Sequence, residues 1–163
     1  VTVRVHFTVD PPDGLDAELV AASARAALAH AGRTDLDVDV VLVDEAMLTR
    51  LHVQLFDDPT PTDVIAVDLV GDDAADVDAH VDGEDAHAPD GEVFVSLTRA
   101  REVAERRGHS LARETSLYVV HGVLHLCGHD DIDDAPRLAM RRAEREVLRA
   151  LGFADDERPH EED

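Results

Sequence analysis

The sequence predicts a single α/β or α+β domain, with about four short strands in a sheet and helices packed on it. Three observations predict it. Segments with two-residue alternation are interleaved with segments of helical periodicity. Turn and cap residues stand at their junctions. The chain has 163 residues and is 44% apolar, enough for one sizeable core.

Val1 to Val9 reads as a strand with Val1, Val3, Val5 and Phe7 on one face, and Pro11-Pro12-Asp13-Gly14 turns the chain. Asp16 to Ala31 is an Ala-rich helix closed by Gly32. Leu36 to Val43 alternates and then becomes continuously apolar, a second strand. Asp44 caps the next helix, in which Met47, Leu48, Leu51 and Leu55 share a face. Asp57 to Pro61 breaks that helix. Val64 to Val70 and Glu92 to Ser96 are the third and fourth strands. The acidic stretch 71–90 between them is long for a compact domain and is expected to be an insertion. Thr98 to Arg107 forms a short helix ending at Gly108, and Ser110 opens another that runs to Cys127 and Gly128. Pro136 lies in the first turn of a last helix that ends near Leu151-Gly152. The expected organisation is one domain over 1–152, with the insertion at 71–90, followed by an acidic flexible tail over 153–163.

The formal charge is −22, and all 15 basic residues are Arg. A uniform charge of that size repels nucleic acid. The charge is not uniform, because Ser96 to Ala150 holds 10 Arg against 9 acids. Asp72 to Asp90 carries eight acids with no Arg, and Asp155 to Asp163 carries six acids with one Arg. Both read as solvated segments. The acid-rich, Lys-free composition fits a high-salt interior, and the Arg-for-Lys bias follows equally from a GC-rich genome. The single Cys excludes an internal disulfide. No apolar run approaches the ~20 residues of a membrane span, and the first residues lack the apolar core of a signal peptide. The sequence begins without Met, which points to trimming at the start. A soluble, cytoplasmic protein is expected.

The informative segment is His121-Gly122-Val123-Leu124-His125-Leu126-Cys127-Gly128-His129-Asp130-Asp131. His121 and His125 stand one helical turn apart, so both imidazoles point the same way at a spacing suited to one metal ion. The surrounding helix is apolar nearly all round, hence buried, and buried imidazoles need partners. A left-handed Gly128 would fold the chain back to offer a third ligand from His129, Asp130 or Asp131. Three ligands leave one position open for water, as at a catalytic zinc. The spacing is that of zinc peptidases, but their Glu base after the first His is Gly122 here, which removes that class. No side chain of the motif is an obvious general base, so the catalytic group is unassigned. Cys127 is off the ligand face and reads as a small buried thiol.

His121-Gly-x-Leu-His125-Leu-x-Gly128-x-Asp130 resembles the signature H-G-x-L-H-L-x-G-[YH]-D-H of the YbeY-type endoribonucleases, the ribosomal-RNA maturation factors. Pro61-Thr62-Asp63-Val64-Ile65 is similar to the family's P-T-D-V-L segment, and Gly91-Glu92-Val93-Phe94-Val95-Ser96 resembles its G-D-I-x-I-S strand. The resemblance implies a small mixed sheet in a single domain. It implies a zinc-dependent endoribonuclease that cuts single-stranded RNA in 3′-end maturation of small-subunit ribosomal RNA and in ribosome quality control. One Zn2+ per chain would be held by His121, His125 and Asp131, the last replacing the usual His. On the residues themselves, Asp130 would either orient a ligand histidine or cap the chain reversal. Expected partners are single-stranded RNA and the small ribosomal subunit, with no membrane and no disulfide partner. Where the family usually has an Arg six residues before the Thr of P-T-D-V, this chain has Phe56, followed by Asp57 and Asp58. Arg residues between 99 and 113 are the expected compensation. The two departures leave two rivals: a non-catalytic ribosome-associated metal-binding protein, and a metal-dependent hydrolase of a small molecule.

Overall fold

A computed structural model describes residues 2–60, 62–69, 88–129 and 132–154. Among these residues the order of elements is β1 (Val3–Phe7), α1 (Ala17–His30), β2 (Val38–Val43), α2 (Glu45–Phe56), β3 (Val64–Asp68), β4 (Gly91–Ser96), α3 (Leu97–Arg107), α4 (Leu111–Leu126) and α5 (Asp134–Ala150). The four strands form one mixed sheet in the order β1-β2-β4-β3. β1, β2 and β4 are parallel, and β3 is antiparallel to β4, with Val64 opposite Val95. β3 stops at Asp68, short of the expected Val70.

Alternation along the strands sorts the side chains. Val38, Val40 and Leu42 of β2 and Val93 and Val95 of β4 are fully buried on one face. They pack there with Val20, Ala24, Leu28, Val120, Val123 and Leu124 of α1 and α4. The opposite face carries a smaller cluster of Val43, Leu48 and Ile65, flanked by Met47 and Leu51 of α2. Leu55, expected on the same inner face, is 44% exposed. Among the described residues, the apolar cluster on this side extends along α2 to Leu51 and does not include Leu55.

α4 is the central helix. Ser110 accepts from the Arg113 amide at its start (3.1 Å). Every residue from Glu114 to Leu124 is buried, as an apolar helix requires. It lies so close to the sheet that a Cβ on Gly122 would stand 2.5 Å from Val93 Cγ1, and one on Gly91 would stand 2.6 Å from Leu126 Cδ1. Glycine at these two positions lets helix and strand meet, and it fixes the height of α4 over β4.

Candidate metal centre

The close approach at Gly122 orients its neighbours. With that residue against β4, His121 reaches α5, where its Nδ1 meets Glu144. Its ring lies 4.8 Å from that of His125, centroid to centroid, at an interplanar angle of 74°. His121 is buried and His125 half-buried. The expected pairing of the two imidazoles on one side of α4 is therefore present. Gly122 also explains the missing peptidase base in steric terms, since no side chain fits between α4 and Val93.

α4 ends as expected. Gly128 takes φ +99°, and the His129 amide returns to the Leu124 carbonyl (3.0 Å). His129 is half-buried just past this bend. Asp130 and Asp131, the expected orienting group and third ligand, lie outside the described residues. Among the described residues, no three His, Cys, Asp or Glu side chains converge as a metal site. The described donors on α4 are the histidine pair, with His129 just past its end.

One partner of the pair was not read from the sequence. Glu144 of α5 places Oε1 2.8 Å from His121 Nδ1 and is only 3% exposed. Arg141, one turn earlier, donates from Nη1 to Oε1 (2.8 Å) and Oε2 (3.1 Å) of the same carboxylate. The signal was available, since Glu144 interrupts the buried stripe of Met140, Ala143, Val147 and Leu148. An acid in an apolar stripe implies a buried partner.

The other singled-out residues behave structurally. Cys127 is half-buried, and burial pushes its thiol up from the ordinary range, as for an inert thiol. Thr62 Oγ1 bonds the Val64 carbonyl (3.3 Å), and the Asp63 carbonyl accepts from the Ser96 amide (3.0 Å), which steadies the start of β3. Phe56 is 54% exposed, with its ring edge-on to His52 at 5.6 Å. Asp58 accepts from the Thr60 amide and hydroxyl, and these hydrogen bonds hold its carboxyl below the usual carboxylate range. On α3, Arg101 and Arg106 are exposed; on α5, Arg142, Arg145 and Arg149 are exposed along one side.

Fold and site together define a class: a mixed α/β domain whose buried central helix presents a histidine pair, one ring of which is hydrogen-bonded to a carboxylate from the next helix. A family profile described as Endoribonuclease YbeY matches residues 14–152. Among curated relatives, the Endoribonuclease YbeY of Paracoccus denitrificans is 34% identical over 149 residues, covering 90% of this chain and 85% of the relative. That of Heliobacterium modesticaldum is 33% identical over 119 residues, covering 73% and 72%. That of Carboxydothermus hydrogenoformans is 37% identical over 116 residues, covering 71% and 73%. The chain belongs to the endoribonuclease YbeY family. In fold it is similar to the solution structure of TM1509 from Thermotoga maritima, with a TM-score of 0.56 at 19% identity over 97% of this chain and 100% of that one. Among the described residues, no helix is long and apolar enough to cross a membrane.

Proposed function

We propose that this chain is a zinc-dependent endoribonuclease that cuts single-stranded RNA. Its setting would be 3′-end maturation of small-subunit ribosomal RNA and ribosome quality control in the cytoplasm. The domain over 1–152 carries the activity, and the acidic stretches 71–90 and 153–163 are additions to it. The observation that carries this reading is the His121–His125 pair on a buried helix, with Nδ1 of His121 engaged by Glu144. In this reading His121, His125 and Asp131 hold the ion, and Asp130 orients a ligand histidine. When bound, zinc supplies an acidified water and Lewis-acid stabilisation of charge on the phosphoryl group.

The chain's own contribution to RNA binding is electrostatic. Despite the net charge, Arg142, Arg145 and Arg149 line one exposed side of the helix that also reaches His121, and Arg101 and Arg106 are exposed on α3. These guanidiniums are suited to phosphate. They stand in for the Arg replaced by Phe56.

The test is cleavage of a single-stranded RNA by zinc-loaded protein. His121→Ala and His125→Ala should lose the retained ion and at least about 100-fold of the cleavage together, with the fold intact. Undiminished cleavage by metal-free double-variant protein would contradict the assignment. A non-catalytic metal-binding protein is the second reading, favoured by exposed Phe56 beside Asp57 and Asp58. It predicts one bound ion and no turnover at any salt concentration.

A further inference from the structure

The geometry points to Arg141 and Glu144 as positioning residues: together they set the angle of the His121 ring and hold it in one tautomer, so that Nε2 is the nitrogen offered to a divalent cation. This rests on the metal-centre reading above and adds to it a device located on a different helix.

The argument starts from burial. A carboxylate that is 3% exposed is costly unless its oxygens are satisfied. Here the satisfaction is specific. Oε1 is shared between Arg141 Nη1 and His121 Nδ1, each at 2.8 Å, and Oε2 takes a second contact from Arg141 at 3.1 Å. A guanidinium donating to both oxygens favours the ionised carboxylate, which can only accept. The hydrogen between Glu144 and His121 then belongs to Nδ1. Nε2 is left with its lone pair, the form a metal requires.

Three structural facts keep this arrangement rigid. α4 cannot move toward the sheet at Gly122, because Val93 fills the space. α5 is pinned by Met140, Ala143, Val147 and Leu148, which are buried on either side of Glu144. Arg141 and Glu144 are three residues apart on α5, the spacing at which helix side chains meet. A merely structural ion pair would join α4 to α5 without regard to which ring nitrogen it touched. Its replacement would change stability and leave ion affinity alone.

The experiment uses the full chain. Imidazole nitrogen NMR on metal-free protein reports the tautomer of His121, and competition against a chromophoric chelator gives the zinc affinity. The expected wild-type form is Nδ1–H. Glu144→Gln should weaken zinc about 10- to 100-fold and disperse the tautomer, and Glu144→Asp should recover part of the affinity. Arg141→Lys should weaken zinc several-fold. A wild-type His121 in the Nε2–H form, or Glu144→Gln and Arg141→Lys proteins that bind zinc within about twofold of wild type, would overturn the inference. Should Glu144→Gln fail to fold, the wild-type tautomer and Arg141→Lys decide. The two readings fail separately: wild-type protein that takes up no zinc overturns the metal centre, whereas zinc uptake that is indifferent to these substitutions overturns only the positioning role.

Discussion

The two faces of the sheet are built differently. On the face toward α1, α4 and α5, Val38, Val40, Leu42, Val93 and Val95 are all fully buried, and the described groups of the candidate centre, His121, His125, Arg141 and Glu144, belong to α4 and α5 on that side. On the other face α2 covers the end marked by Val43, Leu48 and Ile65. Elsewhere that face carries charge. Arg4 Nε bonds Asp39 Oδ1 at 2.7 Å, and His6 Nε2 lies 4.0 Å from Asp39 Oδ2. The difference shows where this fold spends its packing. A ligand pair needs its helix held to within a fraction of an ångström, and the layered side provides that, down to a glycine in contact with Val93. The thin side has no such demand and tolerates ionisable residues along β1 and β2.

The sharpest way to break this comparison is to delete matched side chains from each face. Leu124 (0% exposed) and Leu48 (1% exposed) are equally buried. Leu124→Ala is expected to cost about 4 kcal/mol, because its cavity is walled by rigid layers. Leu48→Ala is expected to cost about 2 kcal/mol, since the small cluster around it can collapse or admit solvent. Urea denaturation midpoints measure both. An equal or larger loss at Leu48 would remove the distinction between the faces.

A smaller effect sharpens it from the charged side. Burial, with the Asp39 charge as a second cause, raises the Glu92 carboxyl above its ordinary range. A folded-state pKa that lies above the unfolded one carries no penalty at low pH. The penalty develops as pH rises from the unfolded value toward the folded one and is complete above the folded value, where the buried group must bear charge. Glu92→Gln should therefore raise Tm at pH 7, and the gain should fade toward pH 4. Melting curves across that range test it. A gain that stays constant or grows toward low pH would show that the thin face does not penalise charge in this way.

Much of the fold was legible in the sequence because it is written in local pattern. Each strand and helix lies within a few residues of its expected span, and the caps at Asp16, Asp44, Ser110 and Gly108 and the bend at Gly128 are where their side chains or their φ require. Alternation does not encode strand direction, so the antiparallel setting of β3 beside three parallel strands could not be read from period two alone. The exposure of Leu55 was not legible either, because it depends on how far the cluster of the second face extends along α2. For the site, one helical turn was enough to pair His121 with His125. Glu144 is 23 residues from His121, and only the docking of α5 on α4 brings them together. Its place within an apolar stripe was the local trace of that contact.

The most direct test of the central claim is anomalous diffraction at the zinc edge from crystals grown with one equivalent of zinc. We expect a single ion about 2.0–2.1 Å from Nε2 of His121 and from a nitrogen of His125, with Nδ1 of His121 still on Glu144. An ion bound away from this pair, or bound through Nδ1 with Glu144 displaced, would contradict the account.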